Sequence, residues 1–229
     1  MSYLTQKTIQ EKVSFKGIAL HSGLDVDVCI KPAEPNFGIV FKRVDLEKNN
    51  LVYPNFMNVT NTSLNTTVEN EFGVKVSTIE HLMGALFGLG IDNALIEINN
   101  EEVPILDGSA RLFIEKLISV KMKISEAPIK IIKIKKEVKF SDGERFISIK
   151  PSTLSLDIDF ELKYENKIIG NQKNKIKVYE DDLADIYNSR TYCLYEDIEK
   201  IKSMGLAKGG SLENAIVVKE NEVLNSEGL

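Results

Sequence analysis

An α+β fold is what this 229-residue chain predicts, and three features of the sequence predict it. Apolar side chains alternate with polar ones in several segments, the period of half-buried strands. Two other segments repeat their apolar residues at helical spacing. The pattern then resets near residues 125–128, which divides the chain into two series of strands and helices with expected bounds 1–126 and 127–229.

Taken in order, residues 24–30 are the first clear strand, since Leu24, Val26, Val28 and Ile30 alternate with Asp25, Asp27 and Cys29. Pro32 and Pro35 should break it, and residues 39–41 suggest another strand. The Thr/Asn-rich stretch 58–67 reads either as extended chain or as loop. Residues 77–89 predict a helix, with Ile79, Leu82, Met83, Leu86 and Phe87 on one stripe. Residues 94–98 then form a strand. Asp107-Gly108-Ser109 leads into a second helix carrying Ala110, Phe113, Ile114, Leu117 and Ile118 at the same spacing. Two amphipathic helices against one sheet make a two-layer arrangement.

After the reset, a Lys/Ile alternation predicts a strand over residues 129–134, and Ser141-Asp142-Gly143 a hairpin turn. Residues 154–162 are the clearest strand, with Leu154, Leu156, Ile158, Phe160 and Leu162 alternating strictly. Further strands are expected at 175–178, 215–218 and 222–224, and helices at 180–187 and 196–204, the latter ended by Gly205. This second series has no closing amphipathic helix to match residues 109–120, which leaves an apolar strip uncovered.

With 43% hydrophobic and 28% charged residues the chain is an ordinary globular one. A net charge of −5, with lysines interspersed among acidic residues, argues against a nucleic-acid partner. Residues 1–10 lack the apolar core of a signal peptide, and Cys29 and Cys193 are isolated, so a reducing cytoplasm is the expected compartment. The longest nearly apolar run, residues 82–91, is far short of the roughly 20 residues that cross a bilayer, so no membrane span is expected.

Chemistry concentrates at Ser77-Thr78-Ile79-Glu80-His81-Leu82, because His81 is one of only two histidines and Glu80 stands beside it. Ser77 and Glu80 have the spacing of a capping box, in which Glu80 would serve the helix start. On a helical wheel His81 points away from the apolar stripe, toward Gly84, Ala85 and Gly88, whose small size lets a ligand approach. There is no His-Glu-x-x-His pattern. The residues alone leave both a solvated histidine and a metal ligand open.

Six blocks in order bear on that choice. Gly17-Ile18-Ala19-Leu20-His21-Ser22-Gly23, Ser77-Thr78-Ile79-Glu80-His81-Leu82, Gly88-Leu89-Gly90-Ile91-Asp92-Asn93, Val103-Pro104-Ile105-Leu106-Asp107-Gly108-Ser109-Ala110, Ser189-Arg190-Thr191-Tyr192 and Gly209-Gly210-Ser211 resemble the signature of the UDP-3-O-acyl-N-acetylglucosamine deacetylase family. The resemblance implies a zinc amidase of lipid A biosynthesis in the cytoplasm of Gram-negative-type bacteria. It implies two similar two-layer α/β sandwich domains with the active site between them, here with the second incomplete. The expected partner is the small-molecule substrate UDP-3-O-acyl-N-acetylglucosamine, and the expected state a monomer.

Carried over by residue, the resemblance makes His81 a zinc ligand, Glu80 the general base and Thr191 a donor to the tetrahedral oxyanion. It places His21 and Leu64 near the substrate. Gly210 would bind substrate as well, and Tyr192, Ile198, Ala207, Ser211, Leu212, Ala215 and Val217 would line the passage for its acyl chain. The family's later His-x-x-x-Asp and Gly-His motifs, which supply two more zinc ligands and a general acid, do not occur in these residues. The expectation is therefore a C-terminally truncated chain without activity of its own. The alternative is a non-catalytic relic or a module that binds nucleotide sugar or acyl chain.

Overall fold

The computed structural model describes residues 4–153 and 155–226 and has the α+β architecture. Its first strands are β1 (Thr5–Ile9), β2 (Val13–Ile18), β3 (Asp25–Pro32), β4 (Ile39–Arg43), β5 (Leu51–Val52), β6 (Val59–Asn61), β7 (Thr67–Glu69) and β8 (Lys75–Val76). Helix α1 (Glu80–Gly88), strand β9 (Ala94–Ile98), helix α2 (Arg111–Ser119) and strand β10 (Met122–Pro128) follow. The remainder holds β11 (Val138–Asp142), β12 (Arg145–Ile149), β13 (Asp157–Lys163), β14 (Asn171–Lys177), α3 (Ala184–Asn188), β15 (Tyr192–Leu194), α4 (Ile198–Ser203), β16 (Ile216–Lys219) and β17 (Glu222–Val223).

The central sheet runs β2-β3-β9-β4-β5, antiparallel except for the β4/β9 pair. Alternation along β3 sends Val26, Val28 and Ile30 to one face, where they are buried in a single cluster with Phe41, Ile96 and Ile98. Leu82 and Leu86 of α1 and Phe113 and Leu117 of α2 close that face, which is the two-layer arrangement expected. The helical stripes hold except at their rims, since Phe87 and Ile118 remain exposed.

The remainder is built from hairpins. Strands β11 and β12 pair across the expected turn at Asp142, and β13 pairs with β14 in unbroken register from Asp157↔Lys177 to Lys163↔Asn171. A three-stranded sheet, β15-β16-β17, has its first pair parallel. Ile216 and Val218 of β16 pack with Ile169 in a small second cluster.

Several expectations need correction. Residues 129–134 are not a strand: the preceding residues 122–128 take up β1 as their partner, and the chain beyond makes no ladder. An alternating pattern supplies a face but no hydrogen-bond partner. The clearest expected strand begins at Asp157, and Leu154 lies outside the described residues. The helix expected over 180–187 is only the short α3. Pro32 ends β3 from within, paired with Ala94, since a terminal proline costs the ladder little. The expected division at 126/127 falls within β10. Among the described residues no helix is long and apolar enough to cross a membrane.

Candidate active site

Helix α1 begins from an unusual turn. The Ser77 amide donates to the Glu101 carbonyl at 2.8 Å and its hydroxyl donates to the same oxygen at 3.0 Å, so Ser77 belongs to a parallel bridge with Glu102. Thr78 then adopts φ 53°, a left-handed conformation costly for a β-branched residue. Ile79 caps the helix without any side-chain hydrogen bond, so the expected Ser77/Glu80 capping box does not form. Glu80 is exposed instead, and its Oε2 accepts from the Thr66 amide at 3.0 Å. Its Oε1 takes no hydrogen bond among the described residues.

One residue on, His81 is half-buried. Burial pushes its pKa below the ordinary imidazole value, against the opposing charges of Glu80 and Asp107, and this favours the neutral ring that a metal ligand needs. On the same side of α1, Gly88 admits the Tyr187 ring; a Cβ there would stand 2.6 Å from the phenol oxygen. The small residues flanking His81 thus serve in part to dock the later half of the chain.

His21 is buried, and both ring nitrogens meet backbone. Nδ1 accepts from the Ala207 amide at 3.4 Å, which assigns the ring hydrogen to Nε2, 3.3 Å from the Leu64 carbonyl. Leu64 and Ala207 both have positive φ, 63° and 51°. The ring therefore ties the β6–β7 loop to the 205–210 segment, and further backbone bonds from Lys208 to His21 and from Gly209 to Leu20 run alongside.

A second seam lies at Asp107-Gly108. The Thr191 amide donates to the Gly108 carbonyl at 2.8 Å, and the Arg190 guanidinium donates through Nε to the Asp107 carbonyl at 2.7 Å. Gly108 has φ 83° and lies against the Asn214 carbonyl so closely that no Cβ fits. Burial pushes the Asp107 carboxyl up, but hydrogen bonds from Arg111 and Ser109 outweigh it and hold the group below the usual carboxylate range. The seam thus pins Thr191 to the Asp107-Gly108 turn, whose carboxylate charge also acts on the His81 ring.

The residues expected along the acyl passage fall on one connected stretch. Tyr192 pairs with Ile216 in the β15/β16 ladder, Ile198 opens α4, and Ala207, Gly210, Ser211 and Leu212 lie on the loop leading to Ala215 and β16. Val217 is buried and, by alternation, points opposite to Ile216 and Val218. Leu64 presents its carbonyl to His21 while the residue as a whole is 55% exposed.

Among the described residues no group of three or more His, Cys, Asp or Glu side chains could hold a metal ion. His81 offers one imidazole, His21 is engaged on both nitrogens, and the Asp107 carboxylate is occupied by Arg111 and Ser109. Zinc commonly needs three or four protein donors, so these residues do not fit a complete zinc site. Two residues of the site escaped the sequence reading, Asp107 as a charged neighbour of His81 and Glu102 as a buried carboxylate.

The family model described as UDP-3-O-acyl N-acetylglycosamine deacetylase matches residues 6–229. The chain is 41% identical over 227 residues to UDP-3-O-acyl-N-acetylglucosamine deacetylase of Shewanella violacea, covering 98% of this chain and 74% of that protein. It is 42% identical over 232 residues to the Myxococcus xanthus protein of the same name, covering 100% of this chain and 72% of the relative. A third, from Nautilia profundicola, is 41% identical over 223 residues, with 97% and 75% covered. The chain thus spans about three quarters of the length of these curated relatives.

Proposed function

The chain belongs to the UDP-3-O-acyl N-acetylglycosamine deacetylase family, and from that premise we propose that it binds UDP-3-O-acyl-N-acetylglucosamine at the seam between its two series of elements. The reaction class is hydrolysis of the 2-acetamido group to acetate and free amine, within lipid A biosynthesis. The observation that supports this reading best is the hydrogen bond from the Thr191 amide to the Gly108 carbonyl, which pins the Thr191 segment to the Asp107-Gly108 turn.

Each side chain has a part suited to its surroundings. Glu80 is exposed and keeps one carboxylate oxygen on the Thr66 amide, which leaves the other to accept a proton from an attacking water. The Thr191 backbone is pinned on both sides, its amide to Gly108 and its carbonyl to Ile216, which fixes where its hydroxyl would meet an oxyanion. The stretch from Ala207 to Val217 offers the apolar side chains and loop backbone that an acylated sugar requires.

The family's chemistry calls for zinc, to which His81 would be one donor. Since the described residues do not complete the donor set, no step is written through the ion, and these 229 residues alone should bind substrate without turning it over. Calorimetry with UDP-3-O-acyl-N-acetylglucosamine should show saturable binding, and an acetate assay with added zinc should stay at background. Absence of binding would overturn the substrate assignment, whereas zinc-dependent acetate release would overturn the argument from donor count.

A further inference from the structure

Among the described residues Glu102 is the one buried carboxylate, at 2% exposure, and none of the roles above uses it. Among the described residues no cation pairs with it. Its Oε1 accepts from the His21 amide at 2.8 Å and from the Thr78 hydroxyl at 3.0 Å, while Oε2 accepts from the Ser22 amide at 2.8 Å. Three donors converging on one anion make the burial tolerable, because charge-assisted hydrogen bonds offset the lost hydration. An apolar side chain could fill that volume without such compensation. What the carboxylate adds is direction.

Its partners stand at two sides of the candidate site. His21 and Ser22 belong to the loop whose imidazole reaches Leu64 and Ala207. Thr78 is the left-handed residue from which α1 departs, two positions before Glu80 and three before His81. The Thr78 hydroxyl also accepts from the Asn65 amide group at 3.4 Å, which draws the β6–β7 loop into the same network. Backbone pairing fixes the Glu102 segment itself through the bridges Ser77↔Glu102 and Ala19↔Pro104. Only the side chain reaches on to residues 21, 22 and the Thr78 hydroxyl.

We propose that Glu102 is a positioning residue for the deacetylase centre, setting the His21 loop and the start of α1 relative to each other through the triad of His21 amide, Ser22 amide and Thr78 hydroxyl. This rests on the function proposed above for the assignment of that centre. Replacing the carboxylate with a carboxamide turns one acceptor into a donor that faces a peptide N–H or the threonine hydroxyl. The unfavourable contact is relieved by displacement of the loop or of the turn.

The test uses the whole chain, whose two histidines make its imidazole resonances simple to assign. Glu102→Gln should retain its circular dichroism spectrum, shift the His21 and His81 ring signals, and weaken UDP-3-O-acyl-N-acetylglucosamine binding on the order of tenfold. A folded variant with both ring signals unmoved would overturn the proposal, because a carboxylate that only stabilises the fold leaves them in place. If Glu102→Gln does not fold, Thr78→Val removes one donor and leaves the two peptide bonds. It should shift the His81 signal and spare that of His21, and an unmoved His81 signal would overturn the proposal. Should the parent chain fail to bind the nucleotide sugar, the substrate reading falls while the ring signals still decide the role of Glu102.

Discussion

Strands β3 and β13 are written in the same alternating code and meet different fates. In β3 the apolar residues Val26, Val28 and Ile30 are sealed beneath two helices, whereas in β13 Ile158 and Phe160 remain 41% and 52% exposed. Both strands have complete ladders with their neighbours. The difference lies in the second layer: α1 and α2 cover the β3 sheet, while among the described residues the β13–β14 hairpin reaches a core cluster only at its loop end, through Leu162, Ile168 and Ile169. Alternation fixes which side chains share a face, and burial requires a separate element to meet it.

The largest consequence of that contrast should appear in stability. Phe113→Ala empties a site packed against Phe15 at a ring-centroid separation of 5.0 Å and should cost about 3–5 kcal/mol. Phe160→Ala should change unfolding by less than about 0.5 kcal/mol. Equal losses in urea unfolding would break the comparison.

A smaller effect is expected at the seam joining the two regions. Gly108→Ala forces a methyl group against the Asn214 carbonyl from a positive φ, at a cost of about 1–3 kcal/mol. The strain should release the 190–217 segment first, so limited proteolysis should cut there faster than in the parent. Cleavage rates unchanged across that segment would mean the seam holds without this contact.

The smallest effect is electrostatic and belongs to the covered region. Asp45 makes two hydrogen bonds with Arg43, at 2.8 and 2.6 Å, and the guanidinium beside it holds its carboxyl below the usual 3.8. Because the folded pKa is depressed, the contribution is present above about pH 3.8 and is lost as pH falls through the folded value. Asp45→Asn should therefore cost about 1 kcal/mol at neutral pH. The gap between parent and variant should narrow below pH 3.8 in acid titrations of stability. A constant gap would assign the effect to geometry rather than charge.

Elements with strong periodicity were legible from the sequence: α1, α2, β3, β9 and the β16–β17 hairpin all form at or near their expected positions. Residues 129–134 were misread because a face without a ladder partner is not a strand. The three-residue β15 is too short for any period to show, and its parallel pairing with β16 depends on a return of the chain that no local pattern encodes. The Ser77/Glu80 spacing misled for another reason, since long-range pairing with residues 101–103 outcompeted the local cap. At the site, Glu80 and His81 stood out as part of an ordered set of motifs. Glu102 did not, because within Asn99-Asn100-Glu101-Glu102 it reads as an exposed turn; its burial comes from partners 81 and 80 positions earlier.

The hydrogen bonds to the His21 ring carry a consequence for its reactivity. Its one lone pair outside the aromatic sextet is given to the Ala207 amide, so it has little to offer an electrophile. The His81 ring takes no hydrogen bond among the described residues. An acylating reagent selective for imidazole should accordingly count one fast histidine in the native chain and two after unfolding, although both are written with the same letter.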